Sequence, residues 1–159
     1  PQSSRYNNYE PNRMTYNGTN MMPQNSTLNQ NIWASLEGIV RGWGGLQTYD
    51  TLYVVTGAAF KSTKTIDNAN GPIAVPSHSW KVLLRQRGTQ NRQISQFKAD
   101  ELKAIGFVFT NDDAGAATSI ESAVRSVKEI EELTGFKFFR NLDPAVADAV
   151  KSQKNLADW

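Results

Sequence analysis

The chain has 159 residues, and one globular domain of this length buries about 70% of the surface of its unfolded chain. Its 17 basic and 15 acidic residues leave a formal net charge of +2, too even a balance to indicate a polyanion-binding protein by itself. The sequence has no cysteine, which excludes disulfides and thiolate metal sites. The length predicts one domain over residues 1–159. No apolar run approaches the roughly 18 residues of a membrane span, so we expect no membrane partner.

The first part of the chain, residues 1–31, is rich in Asn, Ser, Pro and Tyr and poor in aliphatic residues. That composition is typical of a disordered segment or a long loop. Aromatic and methionine side chains scattered through it indicate that it packs onto the rest of the chain. The sequence starts at Pro1 without a signal-peptide pattern, so we expect an N-terminus that was processed or truncated.

A helix is predicted from Leu28 onward, because apolar residues recur there at steps of three and four. The apolar stripe consists of Ile32, Trp33, Leu36, Ile39, Val40 and Trp43. Ser26 and Thr27 are candidate N-caps, and the glycines between Gly42 and Gly45 end the helix.

The rest of the chain alternates irregularly between strand and helix patterns. The predicted strands are 51–57, which we expect to be buried, Ser79–Arg87 and 103–111. The predicted helices are 122–133 and a last one from Asp143 and Pro144 towards Trp159, with a turn at 68–71 and a small-residue loop at 112–119. This irregular order favours an α+β fold, with a central mostly antiparallel sheet flanked by helices, over a doubly wound parallel sheet.

Three polar residues on the first predicted helix form the candidate site. They are Asn29, Glu37 and Arg41. Together with Trp33 they form a series at four-residue steps, and from Asn29 to Arg41 the series spreads over about 120° and about 18 Å of one side. Spacing alone favours solvated residues, with a Glu37–Arg41 ion pair worth about 0.3–0.5 kcal/mol. The alternative is a functional site on this side of the helix, because an amide oxygen can bind Mg²⁺, a carboxylate can hold the metal's waters and a guanidinium can bind phosphate.

The stretch NMMPQNSTLNQNIWASLEGIVRGW (20–43) contains N-x-x-P-Q and then L-N-Q-x-x-W-x-x-L-E, with an arginine four residues after the glutamate. This pattern resembles the DNA/RNA non-specific endonuclease family, whose metal site is a ββα-metal (His-Me) finger. The resemblance continues in the family's order through LYVVTG (52–57), VPSHSWKVLL (75–84), AIGFVFTN (104–111) and SVKEIEELTGFKFF (126–139). One small departure is Ala58, where the family often has proline.

The resemblance implies a role for each matching residue. It makes Asn29 the single direct protein ligand of Mg²⁺, or of Mn²⁺ in its place, and Glu37 the carboxylate that orients water around the metal. Arg41 matches a contact to the substrate phosphate, and Asn20 matches an asparagine beside the active site. The implied activity is hydrolysis of phosphodiester bonds in DNA and RNA, and the implied location is the periplasm or exterior of a bacterium.

The family's general base is the histidine of an Asp-Arg-Gly-His motif, which lies just before a segment like residues 1–18. We therefore expect that motif in an N-terminal remainder of the parent protein, and a chain that is poorly active or inactive alone. A general base contributes about 10²–10⁴-fold to rate. His78 is the only histidine, and its place at the entrance to a predicted strand indicates a structural role.

Other readings stay open from the residues alone. The rival class is a non-catalytic nucleic-acid-binding or protein-interaction module on the same scaffold, and a nuclease confined to one nucleic acid is a third. Basic residues could follow a phosphate backbone or be solvated: Lys61, Lys64, Arg85, Arg87, Arg92 and Lys98. The run EIEEL (129–133) is interpreted as an acidic helix face and not a metal site, and a homo-oligomer cannot be read from the sequence.

Overall fold

A central antiparallel sheet organises the computed structural model, which describes residues 13–14, 16–17, 21–45, 51–88 and 92–159. Its strands in chain order are β1 (Thr51–Ala59), β4 (His78–Gln86), β5 (Leu102–Thr110) and β6 (Val124–Arg125), and each pairs with the next. A separate two-stranded ladder joins β2 (Thr65–Ile66) to β3 (Ile73–Ala74). The sheet confirms the predicted α+β class with antiparallel pairing.

The longest helical segment, α1, runs over residues 26–45. It comprises an α-helical turn (Ser26–Leu28), a π-helical turn (Asn29–Trp33) and an α-helix (Ala34–Gly45). The shorter helices are α2 (Asp113–Ala116), α3 (Ile120–Ala123), α4 (Val127–Thr134) and α5 (Pro144–Lys151). Single 3₁₀ turns occupy Ile94–Gln96, Ala99–Glu101 and Leu156–Asp158. None of the helices in the described ranges is long and apolar enough to cross a membrane.

The two faces of the sheet carry separate cores, because successive side chains of a strand point to opposite faces. On one face, which we call the α1 face, the apolar stripe of α1 packs on the sheet. The buried residues of this core are Leu28, Trp33, Leu36 and Val40 from α1 and Leu83, Ile105, Phe107 and Phe109 from the sheet. On the other, the α4–α5 face, the core contains Trp80, Val82, Leu84, Val127, Ile130 and Val150. Neighbouring residues of β4 therefore serve opposite sides of the molecule.

The three predicted strands are confirmed to within two residues at each end, but the expected burial of the first is wrong. Among the described residues β1 is the outermost strand, because only β4 pairs with it there. Tyr53, Val54 and Val55 are accordingly 44–45% exposed. The β-branched and aromatic run predicts an extended conformation correctly, but it does not say how many neighbours the strand has.

The predicted helix over 122–133 is wrong at its start, because α4 begins at Val127. Residues Val124 and Arg125 pair with Phe107 and Gly106 of β5 instead, and Ser126 then caps α4 through a capping box with Glu129. The last helix begins at Pro144 as predicted, but it ends at Lys151 and does not reach Trp159. The predicted small-residue loop at 112–119 contains the short helix α2. In the predicted turn at 68–71, the Gly71 N–H bonds to the Asn68 carbonyl at 2.9 Å.

Glycine is needed at position 115, because a Cβ there would overlap the backbone carbonyl of Thr110. We expect Gly115→Ala to lower the free energy of unfolding by about 2–3 kcal/mol, as overpacking against fixed backbone does. Gly42, in the exposed part of α1, has nothing within 4 Å of a Cβ, so Gly42→Ala should raise stability by up to about 1 kcal/mol. Urea unfolding measures the free energy of unfolding of the two variants. Equal changes in this free energy would contradict the packing described for Gly115.

Glu131 joins α4 to the segment that follows it. Its carboxylate accepts hydrogen bonds from the Phe138 N–H at 2.7 Å and from the Lys151 ammonium at 2.8 Å, and Lys137 lies 3.6 Å away. Burial raises the pKa of this carboxyl, but the Lys151 hydrogen bond, the Phe138 N–H and the two ammonium charges outweigh it and lower the net pKa. These bonds support the interpretation of the acidic run as a structural helix face.

A carboxyl with a lowered folded-state pKa stabilises the fold above its unfolded pKa and loses that contribution as pH falls through the folded value. We therefore expect Glu131→Gln to cost about 1 kcal/mol near pH 7 and less as the pH falls from about 5 to 3. Glu132→Gln, at the exposed next position of α4, is the matched control and should change little. Thermal melts across this pH range measure the difference, and a cost that grows with acidity would contradict the assignment.

Candidate active site

The entry to α1 is fixed by two buried or half-buried asparagines. Asn25 donates its backbone N–H to Oδ1 of buried Asn111 at 2.7 Å. The Asn111 amide in turn donates to the carbonyls of Pro23 at 3.1 Å and Pro76 at 2.9 Å. These bonds tie the approach to α1 to the loop before β4 and to the end of β5. The start of the helix is therefore held relative to the sheet.

The N-cap of α1 is Asn25, whose Oδ1 accepts the Leu28 N–H at 2.9 Å. The predicted caps, Ser26 and Thr27, are wrong, because both lie inside the first helical turn. Asparagine is as good an N-cap as serine, and the sequence pattern alone did not discriminate between them. The true cap places Asn29 at the start of the π-helical turn.

The π-helical turn changes which residues of α1 share a side. In an uninterrupted α-helix, Asn29 would lie about 80° from Glu37 and about 120° from Arg41. A π turn takes up one extra residue, so Asn29 instead falls within about 20° of each. The three side chains then span about 40° and not the predicted 120°. We call this row of Asn29, Glu37 and Arg41 the α1 flank.

The α1 flank faces strand β1. Glu37, Arg41 and Gly44 are spaced i, i+4 and i+7, so they lie on one side of the helix. A Cβ on Gly44 would contact Cδ2 of Leu52 in β1 at 3.6 Å, which fixes the direction of that side. Glu37 is half-buried, whereas Asn29 and Arg41 are exposed. The flank thus combines an amide, a carboxylate and a guanidinium on the β1 side of the sheet that the described residues form.

A buried lysine that the sequence analysis did not single out lies on the same face of the sheet. Lys81 of β4 is only 4% exposed, and its ammonium donates to the Thr56 hydroxyl at 2.7 Å. The same ammonium lies 4.7 Å from the centre of the Trp33 ring, which belongs to the π turn. Its only sequence signal is a charge inside the otherwise apolar run WKVLL, which also fits a strand with one solvated side chain.

His78 lies on the opposite side of the sheet from the α1 flank. It lines a cavity of about 290 Å³ together with Arg125 of β6 and Glu129 of α4. Its Nδ1 lies 2.9 Å from the hydroxyl of Ser77. Burial lowers the pKa of His78, the charge of Asp112 opposes that shift, and the charge of Lys61 adds to it. This position supports the predicted structural role.

Two of the arginines proposed as phosphate contacts are engaged elsewhere. Arg92 pairs with Glu101 at 2.6 Å and stacks over the Phe97 ring at 4.1 Å. The guanidinium of Arg85 lies 4.7 Å from the centre of the Trp159 ring, near the last helical residues of the chain. These contacts hold surface segments to the core, so neither side chain is the solvated charge that was the alternative to a phosphate contact. The α1 flank includes neither of them.

The donor atoms of the α1 flank fit a hard cation that keeps most of its water. The amide oxygen of Asn29 is a ligand of the kind Mg²⁺ takes, the Glu37 carboxylate can accept hydrogen bonds from the waters that Mg²⁺ keeps, and Mg²⁺ often uses only one or two ligands from protein. Within the described part of the chain, no group of three or more His, Cys, Asp or Glu residues could hold a metal. The donors therefore fit Mg²⁺ or Mn²⁺ better than a zinc site. Asn20 lies outside the described residues.

A second group of carboxylate oxygens, near the start of α1, is engaged in hydrogen bonds within the protein. Asp112 accepts from the Thr110 hydroxyl at 2.6 Å and the Gly115 N–H at 2.8 Å, and these bonds lower its pKa. Asp113 accepts from the Asn25 amide at 2.9 Å. Both line an open cleft of about 510 Å³ with Lys64. Their hydrogen bonds explain why these aspartates are there without invoking a ligand.

The fold of this chain, an antiparallel sheet with a long helix across one face, is similar to that of a solved structure. A crystal structure of the EndoG/EndoGI complex matches 85% of this chain and 54% of that one, with a TM-score of 0.57 and 23% identity. This likeness shows that the chain has the same fold. It places the protein in the class of α+β domains with the EndoG architecture.

Sequence comparison then gives the family. Residues 1–145 match the family model for DNA/RNA non-specific endonuclease, so the chain belongs to that family. It is 29% identical to a nuclease of Nostoc sp. over 96% of the chain and 53% of that protein. It is 30% identical to nuclease C1 of Cunninghamella echinulata over 81% of the chain and 50% of that protein. It is 26% identical to mitochondrial endonuclease G of Bos taurus over 80% of the chain and 42% of that protein.

The chain spans about half the length of the relatives it matches. Their names describe nucleases, and the family resemblance found in the sequence is confirmed. The individual roles of Asn29, Glu37 and Arg41 remain predictions, which the geometry of the α1 flank supports.

Proposed function

We propose that this domain carries the metal- and phosphate-binding half of a Mg²⁺-dependent endonuclease that hydrolyses DNA and RNA with little sequence preference. The observation that carries the proposal is the π turn, which aligns Asn29 with Glu37 and Arg41 on a flank that faces strand β1. Membership of the DNA/RNA non-specific endonuclease family supports the reaction class.

Each side chain of the α1 flank has a distinct task in this proposal. Asn29 offers its amide oxygen to the metal, which when bound neutralises negative charge that develops on the leaving oxygen. Glu37 accepts hydrogen bonds from water beside Asn29 and orients it. Arg41 donates two parallel N–H bonds to the phosphate. Contacts to phosphate carry no base information, which accounts for low sequence selectivity.

The attacking water needs a general base that the α1 flank does not contain. His78, the one histidine of the sequence, is on the other face of the sheet and cannot serve. We propose that the base comes from an Asp-Arg-Gly-His segment in the parent protein. The 159-residue chain alone should then cleave about 10²–10⁴-fold more slowly than a polypeptide with that segment.

Incubation of plasmid DNA and of RNA with a polypeptide that carries both parts tests the proposal. Both substrates should be degraded in Mg²⁺ and protected by EDTA. Fluorescence anisotropy with a labelled oligonucleotide measures binding in parallel. Tight binding without metal-dependent cleavage would contradict the proposal and favour a non-catalytic nucleic-acid-binding module; cleavage of only one substrate would restrict the activity to one sugar.

A further inference from the structure

We infer that Lys81 is a positioning residue of the proposed site, which acts through Trp33 to hold the π turn in the geometry that aligns Asn29 with Glu37. The inference rests on the proposed function, because it concerns the metal that Asn29 would bind. It assigns a task to a buried charge that the reaction itself does not use.

The burial of Lys81 is the first observation. Lysine is rarely buried to 4% exposure unless its charge is compensated, because the ammonium loses its hydration. A methionine would fill a similar volume in the sheet without that cost. The contacts that compensate it include the Thr56 hydroxyl at 2.7 Å and the face of the Trp33 indole at 4.7 Å. The second contact is to α1 itself.

The position of Trp33 is the second observation. Trp33 is the last residue of the π turn that begins at Asn29, and Glu37 lies one α-helical turn beyond it. Its ring also packs edge-on against Phe109 of β5, with centroids 6.0 Å apart. Lys81 and Phe109 therefore hold the ring from two neighbouring strands. The ring anchors the end of the turn to the sheet.

The consequence follows from the helix geometry. A π turn is rare and persists where its surroundings hold it. If the turn relaxed to an α-helix, Asn29 would move from about 20° to about 80° away from Glu37. The amide and the carboxylate would then no longer point in the same direction. Loss of the Lys81 ammonium should therefore weaken metal binding at Asn29 without unfolding the domain.

NMR of the ¹⁵N-labelled 159-residue chain with added Mn²⁺ tests this directly, without activity as the readout. Paramagnetic broadening of the Asn29 side-chain amide reports Mn²⁺ nearby, and the Trp33 indole N–H reports the cation–π contact. In Lys81→Met we expect the broadening to need about tenfold more Mn²⁺, the usual size of a loss through a supporting residue. Lys81→Arg keeps the charge and should restore binding to within about threefold of the original protein.

Two further variants make the result decisive. Lys103→Met removes a strand lysine whose ammonium pairs with Asp158 at 3.2 Å, and it should leave the Asn29 titration unchanged. Thr56→Val, at an exposed position of β1, removes only the hydroxyl partner of Lys81 and should weaken Mn²⁺ binding in the same direction. The melting temperature of Lys81→Met shows whether that variant folds. If it does not, Thr56→Val provides the test.

Three outcomes would overturn the inference. One is an Asn29 titration in a folded Lys81→Met that matches the original protein. A second is a Lys81→Arg variant no better than Lys81→Met, because packing rather than charge would then be responsible. The third is an original chain with no Mn²⁺ broadening at Asn29 at all, which would refute the proposed metal site together with the inference.

Discussion

Asn29→Ala is expected to slow phosphodiester cleavage by about 10²–10³-fold in a polypeptide that also carries the Asp-Arg-Gly-His segment. The reason is that Asn29 offers the one metal-binding oxygen that the π turn places in line with Glu37 and Arg41. Without it, negative charge on the leaving oxygen is no longer neutralised. Initial rates of cleavage of a fluorescent oligonucleotide at saturating Mg²⁺ measure the loss, which should appear in kcat.

Asn31→Ala is the matched control, because Asn31 is an exposed asparagine of the same π turn. Its backbone carbonyl accepts the Ser35 hydroxyl at 3.0 Å, a bond that the substitution leaves in place. We expect rates within about twofold of the original protein, as for surface substitutions away from a site. Equal losses in the two asparagine variants would mean that the turn, and not the Asn29 amide, is responsible.

Arg41→Ala should lower kcat/KM by about 10²-fold and reduce the salt dependence of oligonucleotide binding by about one phosphate contact. Arg41 is exposed, and its guanidinium lies back along the helix, with Nη2 3.6 Å from the Cβ position of Gly38. Arg41→Lys keeps a charge but loses the two parallel donors, so it should recover only part of the rate.

Arg140→Ala controls for net charge, because Arg140 is an exposed arginine in the segment before α5. It should leave kcat/KM and the salt slope within about twofold of the original values. A salt slope unchanged in Arg41→Ala, or lowered equally in Arg140→Ala, would remove Arg41 from the phosphate site.

The parts of the fold that sequence predicted well are those where one local pattern is enough. The strands β1, β4 and β5 each contain an apolar run, and each was placed to within two residues. The parts it missed depend on distant partners. Val124 and Arg125 leave the predicted helix because they pair with β5, and β1 is exposed because only β4 pairs with it among the described residues.

In the candidate site, too, the sequence predicted what a local pattern determines and missed what depends on tertiary packing. The family pattern named Asn29, Glu37 and Arg41, but on α-helical spacing they would not share one direction. The π turn that aligns them leaves no signal in a sequence read at 3.6 residues per turn. Lys81 was missed because a single lysine in a strand usually points to solvent, whereas here α1 covers it. Both features arise from how the helix packs on the sheet.

The proposed function requires a divalent metal at Asn29, beside Glu37, on the α1 flank. Crystals of the chain grown with Mn²⁺ and a short oligonucleotide, measured for anomalous scattering from manganese, test it most directly. We expect the anomalous peak at the amide oxygen of Asn29, with a phosphate between that peak and Arg41. A peak in the cleft of Asp112 and Asp113, or an Asn29 without metal beside bound oligonucleotide, would contradict the account.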